Sequence, residues 1–133
     1  MIEQTELIIS EWHYHPPADS TNSEKKLLSS LSLDVMKKRK ADKKGIACRF
    51  STRFTFGNET VLEYVAEDSY VIDLADKIDK YELLSMIRNS YSKFKEKFEF
   101  RKSATVLWDK SLAPLDESKL DLEAILPLLE EGT

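Results

Sequence analysis

Apolar and polar residues alternate through the middle of the chain, and this alternation constrains the fold more than any other feature. Mostly apolar residues fill the even positions over 46–56, and small or polar residues lie between them. Successive side chains of a β-strand point to opposite faces of a sheet, so the pattern predicts a strand with one buried, aromatic-rich face. Residues 57–59 are typical of a tight turn, and the alternation resumes over 60–65 and 70–74. We predict a long antiparallel hairpin in the middle of a sheet, with a bulge or bend near 66–69 in its second arm.

The composition of the chain argues against several classes of protein. A length of 133 residues predicts one domain over 1–133, large enough to bury a core. The single cysteine, Cys48, cannot form an internal disulfide, which favours a reducing cytoplasm. The N-terminal residues are acidic and no apolar run reaches membrane-spanning length, so we expect neither a secretory signal nor membrane insertion. A net charge of −4 argues against general nucleic-acid binding, and three glycines leave no material for a phosphate-binding loop.

Two further strands are predicted before the hairpin. The first covers 7–14 and has apolar residues on both faces, which predicts that both faces are covered. The second covers 27–36, where apolar residues alternate with serine and aspartate. Six of the eight residues over 37–44 are Lys or Arg. This basic run is interpreted either as a solvated hairpin tip that discourages edge-to-edge pairing or as a site for an acidic protein or RNA partner.

Two helices are predicted after the hairpin. Asp79 and Glu82 have the spacing of a capping box, which predicts a helix from about residue 80 to about residue 101. Large apolar residues recur along it every three or four positions, as in a helix that packs on a sheet or on another helix. This seam consists of Leu84, Ile87, Tyr91, Phe94 and Phe98. A short closing helix is predicted over 120–129. Strands first and helices afterwards predict an α+β fold, with a four-stranded antiparallel sheet and both helices on one face.

Three short segments resemble the SecB family of export chaperones. Residues 32–35 (Ser-Leu-Asp-Val) are similar to its second strand, and residues 57–62 (Gly-Asn-Glu-Thr-Val-Leu) to its hairpin turn. Residues 112–116 (Leu-Ala-Pro-Leu-Asp) are similar to the segment before its last helix. The order of elements agrees over nearly the whole chain. The resemblance implies the fold of that family and assembly as a dimer or tetramer, in which the seam of the long helix contacts a partner's helix.

The sequence departs from the family pattern where the sheet of the family docks the translocation ATPase. The family has several acidic positions there, whereas this chain has His13, His15 and only Glu11 and Glu63 as acidic candidates. The glycine-containing bend of the family is replaced by 67–69 (Glu-Asp-Ser). We therefore carry over the fold and the binding of unfolded chains, and leave the ATPase partnership open.

The resemblance implies an ATP-independent holdase that binds unfolded or pre-export polypeptides in a groove between sheet and helix. Such a protein needs accessible apolar surface surrounded by charge. Aromatic residues suit this role because they offer large contact areas and have few rotamers to freeze. The candidate client-binding residues are the aromatic residues Trp12, Tyr14, Phe54, Phe56, Tyr70 and Trp108. Each of them is equally well interpreted as a core or subunit-interface residue.

No catalytic site, cofactor or metal is predicted. Glu11, His13 and His15 have the residue types of a transition-metal site, but such pairs of histidines on a strand usually have no metal. Cys48 is in register with the apolar face of its strand, which predicts a buried small hydrophobe and not a nucleophile. A second hypothesis is a dedicated adaptor that binds one specific protein partner, for example through the basic run 37–44, without general chaperone activity.

Overall fold

The first half of the chain forms one antiparallel sheet that is four strands wide. The computed structural model describes residues 2–4, 6–17, 26–40, 43–73 and 77–130. Its strands are β1 (Ile2–Gln4), β2 (Ile8–Tyr14), β3 (Leu27–Lys40), β4 (Lys43–Phe56) and β5 (Glu59–Asp73). Since β1 and β2 both pair with the side of β5 that faces away from β4, together they form one edge, and β5, β4 and β3 follow in that order.

Two helices follow the sheet in the sequence: α1 (Lys80–Arg101) and α2 (Leu122–Glu130). The predicted N-cap of α1 is present, because the Asp79 side chain accepts a hydrogen bond from the backbone amide of Glu82 at 2.8 Å. One face of α1 packs on the sheet, and α2 contacts both α1 and β3. The prediction of an α+β fold, with a four-stranded antiparallel sheet followed by a long and a short helix, is confirmed.

The central hairpin is more regular than its sequence indicates. Its turn contains Gly57 at a φ of 63°, a left-handed conformation that glycine adopts without strain. The predicted bend near 66–69 is not found, since β5 stays in one register with β4 over 62–73, and the irregularity lies between Phe54 and Thr55. The polar residues remain in the strand because Asp68 has buried hydrogen-bond partners on α1 and Glu67 lies opposite Arg49 on the other face.

A bulge in β2 explains why the apolar residues on its α1 side fall on an odd position before Ser10 and on an even position after it. The register with β5 shifts between Ile9 and Glu11, and the Ser10 hydroxyl donates to the carbonyl of Val65 at 3.3 Å. The shift places Ile9 and Trp12 on the same face of the sheet, under α1. The opposite face is not covered, because Ile8 there is 67% exposed. The prediction that both faces of this strand are covered is therefore wrong.

Aromatic side chains of α1 stack on aromatic side chains of the sheet to form the core. The Phe94 ring lies 4.1 Å from the Tyr64 ring and 5.3 Å from the Phe50 ring, measured between centroids. The rings of Phe54 and Phe98 stack at 5.5 Å. All five side chains are almost completely buried. Phe94 and Phe98 of the apolar seam are thus covered by the sheet of their own chain.

A buried polar cluster fixes α1 on the sheet beside this aromatic core. Ser90 of α1 donates to the fully buried carboxylate of Asp68 at 2.7 Å, and Lys93 Nζ lies 3.5 Å from the same carboxylate. The Tyr70 hydroxyl donates to the carbonyl of Met86 at 2.9 Å. Cys48 lies opposite Asp68 in the sheet, and burial raises the pKa of its thiol to about 12. Cys48 is therefore a neutral core residue, as its position in the sequence predicts.

Replacing Phe94 by alanine tests the packing of α1. The substitution removes a ring that stacks on Tyr64 and leaves a cavity, so we expect the free energy of unfolding to fall by about 3–5 kcal/mol. Chemical denaturation followed by circular dichroism measures the change. The matched control is Lys95→Ala on the exposed face of the same helix, for which we expect a change within about 0.5 kcal/mol. Equal losses in the two variants would show that this face of α1 does not pack on the sheet.

Candidate polypeptide-binding surface

The segment after α1 folds back over the end of the sheet and forms a small groove there. The backbone amide of Val106 donates to the Tyr14 hydroxyl at 2.9 Å, and this bond ties the segment to β2. The groove has a volume of about 320 Å³. Its walls are mostly apolar and come from the strand ends and this segment: Pro17, Leu27, Phe56, Val61, Val106, Leu107 and Lys110. We call it the end groove.

A larger groove lies along β3, at the opposite edge of the sheet. Its volume is about 780 Å³, and we call it the edge groove. One wall is formed by residues 29–33 of β3, and the other by six residues of the segment that leads to α2. These are Ala113, Pro114, Leu115, Asp116, Lys119 and Leu120.

The second wall of the edge groove is held in place by α1. The Tyr91 hydroxyl donates to the carbonyl of Ala113, and Arg88 forms a two-point ion pair with Glu117. The hydrogen bond from Arg88 lowers the pKa of the Glu117 carboxyl. The pKa of Asp116 is also lowered, chiefly because its carboxylate accepts a hydrogen bond from the Ser118 hydroxyl. A hydrogen bond and an ion pair from α1 therefore position the segment that leads to α2, which has little regular structure.

The backbone of β3 contributes hydrogen-bonding groups to the edge groove. Thr52 of β4 donates from its hydroxyl to the carbonyl of Ser30 at 2.7 Å, so this carbonyl points toward β4. Backbone groups of neighbouring residues point to opposite sides of an antiparallel strand. The amides and carbonyls of Ser29, Leu31 and Leu33 therefore point to the outer side of β3, where no described strand pairs with them. Their side chains lie on the same face of the sheet as α1.

The structure separates the six predicted client-binding residues into three groups by burial. Phe54 and Tyr70 lie in the core, only 1% and 3% exposed, and contact α1. Trp12, Tyr14 and Phe56 are half-buried; Phe56 lines the end groove and Tyr14 is bonded to Val106 of its wall. The Trp12 ring contacts the Tyr64 ring edge to face. The Arg101 guanidinium lies over the Trp12 ring, 5.3 Å from its centroid. Trp108 is 66% exposed on the segment after α1.

The predicted oligomer seam is also divided by the structure. Ile87, Phe94 and Phe98 are fully buried against the sheet of the same chain. Leu84 and Tyr91 are half-buried, and the Tyr91 hydroxyl is bonded to Ala113. In this protomer the seam is therefore mainly an intramolecular contact.

Sequence reasoning did not find the residues that line the edge groove. Leu31 and Leu33 belong to a strand whose alternating leucine and serine predict one buried face, but the pattern does not show that the strand lies at an edge. Leu115 belongs to 112–116, for which the sequence indicated only a resemblance to the segment before the last helix of the SecB family. The available signal was the leucine and proline content of 112–116, which is unusual for a solvated loop.

The described residues give no sign of a metal or membrane site. Glu11 and His13 are exposed on the face of the sheet that points away from α1. Among the described residues, no three His, Cys, Asp or Glu side chains come together in a way that could hold a metal ion. No helix within these ranges combines the length and the apolar character needed to cross a membrane.

Comparisons with known proteins identify the fold. No family model matches the sequence, and no curated protein matches it. The structure matches a SecB-like chaperone of Mycobacterium tuberculosis, solved in complex with a ChAD peptide from the HigA1 antitoxin. The TM-score is 0.54 at 12% identity, over 86% of this chain and 90% of that chain. The fold is SecB-like. A Streptococcus agalactiae protein of unknown function also matches, with a TM-score of 0.46 at 12% identity over 87% of this chain and 97% of that one.

The segments that resemble the SecB family occupy defined places in this SecB-like fold. Residues 32–35 form the middle of β3, and residues 57–62 form the turn between β4 and β5 and the start of β5. Residues 112–116 form part of the second wall of the edge groove. Two of the three segments therefore flank the edge groove.

Replacing Glu117 by glutamine tests how the second wall is held. Because the pKa of Glu117 is lower in the folded protein, the ion pair with Arg88 stabilises the fold at neutral pH and is lost as the pH falls through the folded pKa. We expect the variant to be less stable than the parent at neutral pH, and the difference to disappear in acid. Urea denaturation at a series of pH values measures this difference.

The control for this test is Glu96→Gln, because Glu96 is exposed on α1. It should show no comparable dependence on pH. A Glu117→Gln difference that stays constant from neutral pH into acid would contradict the role of the ion pair.

Proposed function

We propose that this protein is an ATP-independent holdase that binds unfolded or pre-export polypeptides in the edge groove, and that it is not an enzyme. The observation that carries the proposal is the outer side of β3, with which no described strand pairs, next to a wall that is mostly apolar. An extended polypeptide can pair with such an edge as an additional strand, through hydrogen bonds from its main chain. Because every polypeptide has the same main chain, this mode of binding tolerates many sequences.

The side chains of the edge groove add apolar contacts to this main-chain pairing. Leu31 and Leu33 alternate with Ser30 and Ser32, so leucines face the groove side and serines the exposed side of the sheet. An added strand would present every second side chain to the leucines and to Leu115 of the other wall. This arrangement favours clients in which apolar residues alternate with polar ones.

The end groove supplies a second apolar surface for the same client. Trp108 is exposed and Val106 is 45% exposed on the segment that forms one of its walls, and Phe56 lines the groove from the sheet. Exposed aromatic residues make large contacts with little loss of rotamer freedom. We therefore retain Trp12, Tyr14, Phe56 and Trp108 as candidate client-binding residues, whereas Phe54 and Tyr70 would contact a client only if α1 moved away from the sheet.

Replacing Ser29 by proline tests strand addition. The Ser29 amide points to the outer side of β3, so proline removes a donor for the client without removing a bond to β4. We expect about threefold to tenfold weaker binding of an unfolded client, the cost of about one hydrogen bond and its geometry. The measurement is suppression of light scattering by reduced, denatured α-lactalbumin as a function of chaperone concentration.

The control for this test is Ser29→Ala, which keeps the amide and should behave like the parent. Circular dichroism checks that Ser29→Pro retains the sheet. If folded Ser29→Pro suppresses aggregation as well as Ser29→Ala does, the client does not pair with β3.

Replacing Trp108 by alanine tests the exposed segment beside the end groove. Because the Trp108 side chain is largely exposed, the substitution should change the free energy of unfolding by less than about 0.5 kcal/mol. We expect the variant to need more protein than the parent for half-maximal suppression of aggregation. Unchanged suppression would exclude Trp108 from the client-binding surface.

A dedicated adaptor is the second candidate function. The observation that favours it is the mycobacterial SecB-like structure, which holds a peptide from one antitoxin. An adaptor of this kind would bind one partner and ignore generic unfolded proteins. A panel of unrelated denatured substrates in the light-scattering assay separates the two functions, because only a holdase suppresses the aggregation of most of them.

We also propose that the protein forms a dimer or tetramer in the cytoplasm, as the resemblance to the SecB family implies. The buried residues of the predicted seam, such as Phe94, are occupied by the sheet, so a partner would contact the half-buried Leu84 and Tyr91 and the surface around them. The mass measured by light scattering of the protein alone tests this. A monomer at micromolar concentration would contradict it without affecting the edge groove.

A further inference from the structure

The strand that lines the edge groove continues into a strongly basic segment. β3 runs without interruption from Leu27 to Lys40, and its last four residues, 37–40, are all Lys or Arg. The edge groove lies along 29–33, in the first half of the strand. A polypeptide paired along β3 therefore meets an apolar stretch and then a cationic one.

The pairing of β3 with β4 concentrates these cations. Arg39 lies directly opposite Lys44, and Lys40 lies directly opposite Lys43. The register therefore brings four cationic positions together at this end of the sheet. One ion pair is described there, between Lys43 Nζ and Asp73 at 4.0 Å, and both of its side chains are well exposed. Clustered positive charge of this kind attracts a negatively charged ligand.

The register along a strand fixes how far apart the apolar and acidic parts of such a ligand would lie. Paired strands advance together, at about 3.3 Å per residue. A client that centres its apolar residues opposite Leu31 places the residues about six to nine positions away opposite 37–40. Every described pair in this sheet is antiparallel, and antiparallel pairing is slightly more stable per residue. An antiparallel client has its N-terminal part at the basic end.

We propose that the preferred client of the edge groove is an extended segment in which acidic residues precede, on the N-terminal side, a stretch of alternating apolar residues. The inference rests on the proposed function, because it assumes that clients pair with β3. Opposite charges across neighbouring strands attract each other, so each acidic residue beside 37–40 adds to the affinity. The basic run then selects clients by charge and also sets their direction.

Three labelled peptides of equal length test this inference. All share one alternating Leu-Ser core; the first has four glutamates before the core, the second has them after it, and the third has four lysines before it. Fluorescence anisotropy with the full chain measures their dissociation constants. We expect the first peptide to bind about tenfold more tightly than the third and more tightly than the second, with differences that shrink as salt screens the charges.

Two variants with the same change in net charge locate the effect. Lys37→Gln/Lys38→Gln/Lys40→Gln should abolish the preference for the acidic-first peptide. The matched control, Lys80→Gln/Lys95→Gln/Lys97→Gln, removes three exposed cations from α1 and should retain the preference. A preference that both variants lose equally would reflect net charge alone and would overturn the inference.

The outcomes distinguish this inference from the proposed function. If all three peptides bind equally and Ser29→Pro weakens each of them, the edge groove binds polypeptides and the charge preference is wrong. If the acidic-last peptide binds best, the proposed direction is wrong.

If no peptide binds, the proposed function fails together with the inference. If a single-stranded RNA oligonucleotide binds through 37–40 while the peptides show no preference, the basic run serves RNA and the inference is overturned.

Discussion

The stacking of α1 on the aromatic face of the sheet is the contact on which the rest of the structure depends. Phe94 packs against both Tyr64 and Phe50, which belong to neighbouring strands, so one helix residue holds two strands of the core together. Apolar packing alone is not directional. Direction comes from two tyrosine hydroxyls of β5: Tyr64 donates to the carbonyl of Phe94, and Tyr70 donates to that of Met86. Both hydroxyls are buried, which raises their pKa values, so they remain donors throughout the neutral range.

The position of α1 also determines the position of the irregular segment between the two helices. Its Leu107 and Leu112 side chains are buried in the core, and three polar contacts join it to α1 and β2: Val106 to Tyr14, Ala113 to Tyr91, and Glu117 to Arg88. Two of these partners lie on α1 and one lies on β2. The same segment therefore forms one wall of both grooves, while strands form the other wall. Each groove therefore has one side made of regular strand and one side made of a segment with little regular structure.

The sequence was sufficient for the longer elements, although it missed β1 and ended β3 at residue 36 instead of Lys40, but it did not identify the faces that remain accessible. Periodicity located the hairpin and α1, because a long run of one period has few alternative interpretations. It did not detect the register shift at Ser10. An extra residue in a strand changes the phase of the alternation, and in the sequence this gives the same pattern as a strand with apolar residues on both faces. Phe54 and Phe98 are aromatic residues on two elements, and the sequence does not show that they cover each other. The position of β3 at the edge depends on strand order, which periodicity does not report, and the edge groove was missed for this reason.

A strand of 14 residues at the edge of a sheet usually carries features that prevent pairing with other chains. β3 contains two such features: the serines that alternate with its leucines, and the cations over 37–40. Neither feature removes the main-chain hydrogen-bonding groups on the outer side of the first half of the strand. The serines lower the apolar content of the exposed face while the main-chain groups of Ser29, Leu31 and Leu33 still point outward. The cations occupy only the last part of the strand, so they repel basic chains and leave the first half open. Under the proposed function, the same residues that keep the edge from aggregating would also select the polypeptides that it binds.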